Sequence, residues 1–166
     1  MIREIIHINI NVTDIERSIA FYRVLGFEVM HEFGTLPDAG RELRGMKTGD
    51  GEVCGAIMSL GDHPRSATKI ELLQWLGEQP AEGPEPRSRR APGVARLALR
   101  TKDLCAFCDG LRRRGVAFEQ EPVEIDVVGA QRFALFRDPD GTLLELVEFF
   151  PSSSSSDSAG NGPPAG

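Results

Sequence analysis

The chain is expected to be an α+β protein, a pair of βαβββ modules forming a curved mixed sheet around a central cleft. Three observations lead there. The first is an internal repeat: residues 6–29 and 95–118 align at a constant offset of 89, placing His7 on Arg96, Asp14 on Asp103 and Gly26 on Gly115. The second is the shared grammar of both copies: a short alternating strand, a polar helix start, an amphipathic helix, a stopping glycine and another strand. The third is that three further extended segments follow each helix.

In the first module Ile6, Ile8 and Ile10 alternate with His7, Asn9 and Asn11, which gives a strand with one apolar and one polar face. Thr13 or Asp14 caps the next helix, and Glu16 adds negative charge to its first turn. Ile15, Ile19, Tyr22 and Leu25 recur at helical spacing and are expected to cover the isoleucine face. Gly26 ends the helix as a left-handed residue. Strands are expected near 27–33, 51–60 and 68–76, with residues 34–50 a long loop over the pocket mouth. In the second module Leu104, Phe107 and Leu111 form the helical stripe and Gly115 the stop. Its strands are expected near 116–121, 124–137 (broken at Gly129) and 142–149. The domain plan is a first module over 1–76, a linker over 77–93 with four prolines, a second module over 94–150 and a disordered serine-rich tail over 151–166.

Composition narrows the function classes. The chain has 166 residues, 40% of them hydrophobic and 27% charged, with net charge −6. This suits a soluble domain and disfavours a polyanionic partner such as nucleic acid. The basic run Arg112-Arg113-Arg114 sits at a helix end, where cations meet the negative pole of the helix. No apolar stretch is long enough to cross a bilayer, and the charged N-terminus does not read as a secretory leader, so the expected compartment is the cytoplasm. Three cysteines make no disulfide framework. Cys105 and Cys108 form a C-x-x-C within a helical pattern, without a second pair to complete a zinc site, and are expected to flank the helix core face. His31 and His63 are expected at the surface.

Alternation then selects the side chains facing the pocket. Ile5, His7 and Asn9 share a face on the first strand, and Lys69, Glu71, Leu73 and Trp75 share one on the fourth. In the second module Arg96 pairs with Ala98, and Glu145 lies between Leu143 and Val147. Glu71 and Glu145 occupy matching places, in Ile70-Glu71-Leu72 and Leu144-Glu145-Leu146. A carboxylate among apolar strand residues is costly unless paired, protonated or bound to metal. Four equivalent positions, His7, Glu71, Arg96 and Glu145, therefore point to one convergent polar cluster.

The opening HINI-N-V-T-D through FYRVLGF (His7 to Phe27) and the closing FRDPDGTLLELVE (Phe136 to Glu148) resemble the vicinal oxygen chelate superfamily, which includes the glyoxalase, bleomycin-resistance and dioxygenase proteins. The resemblance covers Ile2 to Phe150. It implies paired βαβββ modules, often in dimers, and in the glyoxalase and epimerase branches a divalent metal held from positions that fall on His7, Glu71, Arg96 and Glu145. The metal implied is nickel, zinc, cobalt, manganese or iron, which the sequence does not distinguish.

Arg96 departs from that pattern, because a histidine ligand usually stands there. Arginine stays protonated and cannot ligate, and the lack of that histidine in a two-histidine, one-carboxylate set disfavours extradiol cleavage. Two readings remain. Either His7, Glu71 and Glu145 hold the metal with Arg96 gripping a substrate anion, or Arg96 replaces the metal by bridging the two carboxylates. Repulsion between a guanidinium and a dication favours the second.

The function implied is proton-transfer chemistry (isomerase, epimerase, lyase or cyclase) on a carbonyl-containing metabolite. Glu145 is the base, Glu71 the second carboxylate, His7 a ligand or acid/base partner, and Arg96 the oxyanion stabiliser. Asn9, Trp75 and Phe133 are the expected substrate contacts. The alternative is a metal-free small-molecule binding or antibiotic-sequestering resistance protein. Expected partners are the small molecule and a second copy of the chain in a homodimer, with neither nucleic acid nor membrane.

Overall fold

The computed structural model describes residues 1–2, 5–35, 52–61, 68–76, 92–126 and 129–150. The first module runs β1 (Ile8–Val12), α1 (Ile15–Val24), β2 (Phe27–Phe33), β3 (Glu52–Leu60) and β4 (Thr68–Leu76). The second runs β5 (Leu97–Arg100), α2 (Leu104–Arg112), β6 (Phe118–Asp126), β7 (Ala130–Arg137) and β8 (Leu143–Phe149). Each module carries a four-stranded sheet of the same order, β1-β4-β3-β2 and β5-β8-β7-β6. The α+β class and the βαβββ plan are those expected. The loop over 36–50, most of the linker, His63 and the tail lie outside the described residues.

In the first sheet β1 runs parallel to β4, whereas β2–β3 and β3–β4 are antiparallel. Parallel pairing of β1 with β4 requires a crossover, and α1 with the two intervening strands supplies it. Asp14, in extended conformation, is the N-cap of α1 and accepts from Arg17 N at 3.0 Å. Gly26 at φ 95° ends the turn after the helix, where a side chain would be strained. The helix buries Ile19 and Tyr22 with Leu25 against Ile10, Val12, Ile70, Leu72, Ala56 and Met58 on the sheet. Ile6, expected on that apolar face, is instead exposed, because β1 begins only at Ile8.

The second module repeats these devices. Asp103 caps α2 by accepting from Ala106 N at 2.9 Å, and Gly115 takes φ 83°. Its buried stripe is Leu104, Cys108 and Leu111 rather than Leu104, Phe107 and Leu111. Spacing of i, i+4, i+7 centres Cys108 on the sheet and leaves Phe107 half-buried at the margin. Residues 124–126, assigned to the seventh strand from sequence, finish β6 instead. The break falls ahead of Ala130, with Gly129 at φ 100°, and β6 meets β7 with two register shifts.

A second helix-capping device recurs in both modules, with amides 89 residues apart and acceptors 74 apart. Gln74 of β4 accepts from Ile15 N at 2.9 Å, and Glu148 of β8 accepts from Leu104 N at 3.1 Å. Each module thus ties the first free amide of its helix to its own last strand.

The chain divides into two compact units, Met1–Arg96 with Arg137–Leu144, and Leu97–Phe136 with the chain from Glu145. The turn Asp138-Pro139-Asp140-Gly141 therefore belongs to the unit of the first module.

Candidate functional site

One face of the first sheet collects most of the predicted pocket residues. Register pairing sets Asn9 beside Glu71 and Ile57 opposite it, Leu73 against Gly55, and Trp75 against Val53. Because paired residues share a face, Asn9, Glu71, Leu73 and Trp75 line up on the side away from α1. His7, immediately ahead of β1, brings its imidazole Nε2 to 3.4 Å from Glu71 Oε2. The histidine side chain is 38% exposed and the glutamate 5%. The arrangement is a buried carboxylate reached from solvent through one titratable ring, suited to taking up and passing on a proton.

Beside this pair lies an apolar patch. Val53 and Leu73 are buried under the partly buried rings of Phe33 and Trp75. The Trp75 indole N–H donates to Asn11 Oδ1 at 3.0 Å, which fixes the ring on the sheet. Phe33 can lie across β3 only because residue 55 is glycine, since a Cβ there would meet the ring at 2.6 Å and collide with the Leu72 carbonyl oxygen. His31 stacks against Phe33 with ring centroids 6.4 Å apart and is exposed, as expected.

The remaining predicted residues are distributed otherwise. Arg96 is exposed and directly precedes β5, the place matching His7 before β1. Glu145 is half-buried in β8, and Phe133 is half-buried in β7 opposite Val123. Among the described residues no group of three histidine, cysteine or acidic side chains is arranged to hold a metal ion. Among the described residues of the first module the donors brought together are His7 and Glu71, one fewer than the three protein ligands a catalytic centre commonly uses.

An extended polar network lies elsewhere, at the turn that follows β7. Asp138 is 5% exposed; its Oδ2 accepts from the Tyr22 hydroxyl at 2.9 Å, and its Oδ1 from Asp140 N and Thr142 N at 3.0 and 2.7 Å. Burial, and next the Asp138 charge, push the Tyr22 phenol far above its ordinary range. Asp140 accepts from Thr13, from Arg17 at 2.8 Å and from Ser18 at 3.3 Å. An open cleft of about 430 Å³ flanks the turn, lined by Thr13, Arg17 and residues 137–141. It contains none of the predicted site residues, and its carboxylates are engaged by neighbouring donors. We read it as the groove of a structural tie, apart from the His7–Glu71 pair on the sheet face. Sequence marked the Asp-Pro-Asp-Gly turn as a motif without assigning its partner, and Tyr22 appeared only as a core residue.

Among the described residues, no helix is long and apolar enough to cross a membrane. A model of the Glyoxalase/Bleomycin resistance protein/Dioxygenase superfamily matches residues 4–146. The chain is 32% identical over 150 residues to an uncharacterized protein, YwkD, of Bacillus subtilis, across 89% of this chain and 98% of that one. It is 28% identical over 148 residues to a lactoylglutathione lyase of Haemophilus influenzae, across 87% and 92% of the two chains. Among solved structures, a glyoxalase family protein from Bacillus cereus shares the fold, with a TM-score of 0.72 at 20% identity over 87% of this chain and 93% of that one.

Proposed function

This chain belongs to the Glyoxalase/Bleomycin resistance protein/Dioxygenase superfamily, and from that premise we propose a small-molecule enzyme of the glyoxalase/epimerase type. Its chemistry is proton transfer (isomerase, epimerase, lyase or cyclase) on a carbonyl-containing metabolite. The observation that carries this reading is the buried Glu71 carboxylate 3.4 Å from the half-exposed His7 ring. Glu145 takes the proton from the carbon beside the carbonyl, Arg96 steadies the oxyanion that results, and the His7–Glu71 pair returns a proton to the neighbouring atom. Asn9, Trp75 and Phe133 contact the substrate.

The same reading is metal-free. With a guanidinium at the position the resemblance gives to a ligand, the positive charge of the site is that of Arg96. A homodimer is part of it: Ile2, Ile5 and Ile6 are 92%, 80% and 63% exposed, apolar surface suited to burial against a second copy. The competing reading is a ligand-sequestering protein, favoured by the apolar Phe33–Trp75 patch.

Incubation in deuterated water with a panel of 2-oxo and 2-hydroxy carbonyl compounds, followed by proton NMR, separates the two. The enzyme exchanges a carbon-bound proton of at least one compound, and Glu71→Gln or Glu145→Gln slows this by about a hundredfold or more. A compound bound tightly and returned unexchanged, with no exchange across the panel, overturns the enzyme reading in favour of sequestration.

A further inference from the structure

We propose that Cys105 and Cys108 form a thiol–disulfide exchange pair, with Cys105 the attacking sulfur, Cys108 the resolving one, and a low-molecular-weight disulfide the oxidant. The two stand three residues apart in the first turns of α2, where helix geometry sets their Cα atoms about 5 Å apart, within the range a disulfide spans. Their surroundings differ sharply. Cys105 is exposed, and the Arg132 guanidinium donates to its sulfur at 3.1 Å. Arg132 is itself held in place by ion pairing to Glu124. The guanidinium therefore stands in hydrogen-bond contact with the exposed sulfur that the oxidant meets first. Cys108 is fully buried between Leu104 and Leu111, and burial pushes its thiol up to about 11. It therefore stays protonated and inert until a sulfur is activated beside it.

The exchange proceeds in two steps. The Cys105 thiolate attacks one sulfur of the oxidant, the oxidant's S–S bond breaks, and one thiolate leaves and takes up a proton. The Cys108 sulfur then attacks Cys105 of the mixed disulfide, passing its proton to the second departing thiolate. Two cysteine thiols are oxidised to one disulfide, and the small disulfide is reduced to two thiols. A regular helix holds i, i+3 Cβ atoms farther apart than a disulfide prefers, so α2 must deform locally. Gly110 inside this nine-residue helix lowers the cost of doing so. Closing the bond draws Cys108 from the core, which makes the disulfide labile and the oxidised fold weaker.

Cys54, half-buried with its thiol pushed up by burial, is an internal control. The test uses the full reduced chain with glutathione disulfide, quenched by alkylation and read by intact mass and peptide mapping. Wild type is expected to pass through a glutathione adduct on Cys105 to a Cys105–Cys108 disulfide. Cys108→Ala accumulates the adduct, Cys105→Ser shows neither product, and Arg132→Gln forms the adduct about fivefold more slowly. Modification of Cys105 no faster than Cys54, or a wild-type product that stays a stable adduct without closing to the disulfide, overturns the proposal.

Discussion

The two modules share a plan and differ in what fills it. At the matched core positions of their helices stand Ile19 and Cys108, and Tyr22 and Leu111, all buried. The matched helix tethers are a neutral Gln74 and a charged Glu148. The matched positions ahead of the first strands are His7, which reaches a buried carboxylate, and the exposed Arg96. The backbone grammar tolerates these exchanges because each device needs only a property, such as an apolar volume, an acceptor or a polar group at a strand mouth. Chemistry is where the copies part. One module presents an imidazole beside a buried carboxylate and the other a permanent cation.

The core exchange is expected to have the largest effect. Ile19→Ala removes branched aliphatic volume from a packed interior and should lower stability by about 3 kcal/mol, whereas Cys108→Ala should lower it by about 1 kcal/mol. Chemical denaturation of both variants measures this. Equal losses would mean that the two helices do not anchor their sheets in the same way.

Tyr22→Phe sharpens the second contrast, because Leu111 needs no partner and the Tyr22 hydroxyl donates to buried Asp138. Its loss should cost about 1–2 kcal/mol at neutral pH. The phenol is raised in the folded state, so its stabilising contribution is full below the unfolded value of about 10 and is lost as pH rises beyond it. Tyr22 is the only tyrosine, so phenolate absorbance reports this directly. Wild type should ionise together with alkaline unfolding, and Tyr22→Phe should lose that part of the pH dependence.

The smallest contrast is between the tethers. Glu148→Ala should cost about 1–2 kcal/mol and Gln74→Ala about 1 kcal/mol, because a charged acceptor at a helix start holds an amide more strongly than a neutral one. Salt should narrow the gap in thermal melts.

Much of this is legible in the sequence. Period-two alternation placed β2 to β4 within a residue, because both faces of those strands are chemically marked. Asp14, Asp103, Gly26 and Gly115 marked the helix ends through local backbone needs. Hydrophobicity favours Phe107 for the core face of α2, but angular position gives it to Cys108, and a buried cysteine carries little hydropathy signal. The Tyr22–Asp138 tie joins residues 116 apart through side chains, and no local pattern encodes such a bond. The Gln74–Glu148 tethers were visible in principle, since the offset that aligns Glu71 with Glu145 aligns these too. For the site, alternation placed Asn9, Glu71, Leu73 and Trp75 on one face, but the approach of His7 to Glu71 depends on strand pairing.

The contrast between His7 and Arg96 carries the functional account, and metal content tests it most directly. Wild-type protein purified without a metal-binding tag, and Arg96→His beside it, would be compared by elemental analysis after equal exposure to divalent nickel, zinc, cobalt and manganese. Wild type is expected to hold no stoichiometric metal and Arg96→His about one ion per chain, the histidine completing a ligand set that arginine interrupts. One ion per wild-type chain, lost in Glu71→Gln, would contradict it and return the site to metal-assisted chemistry.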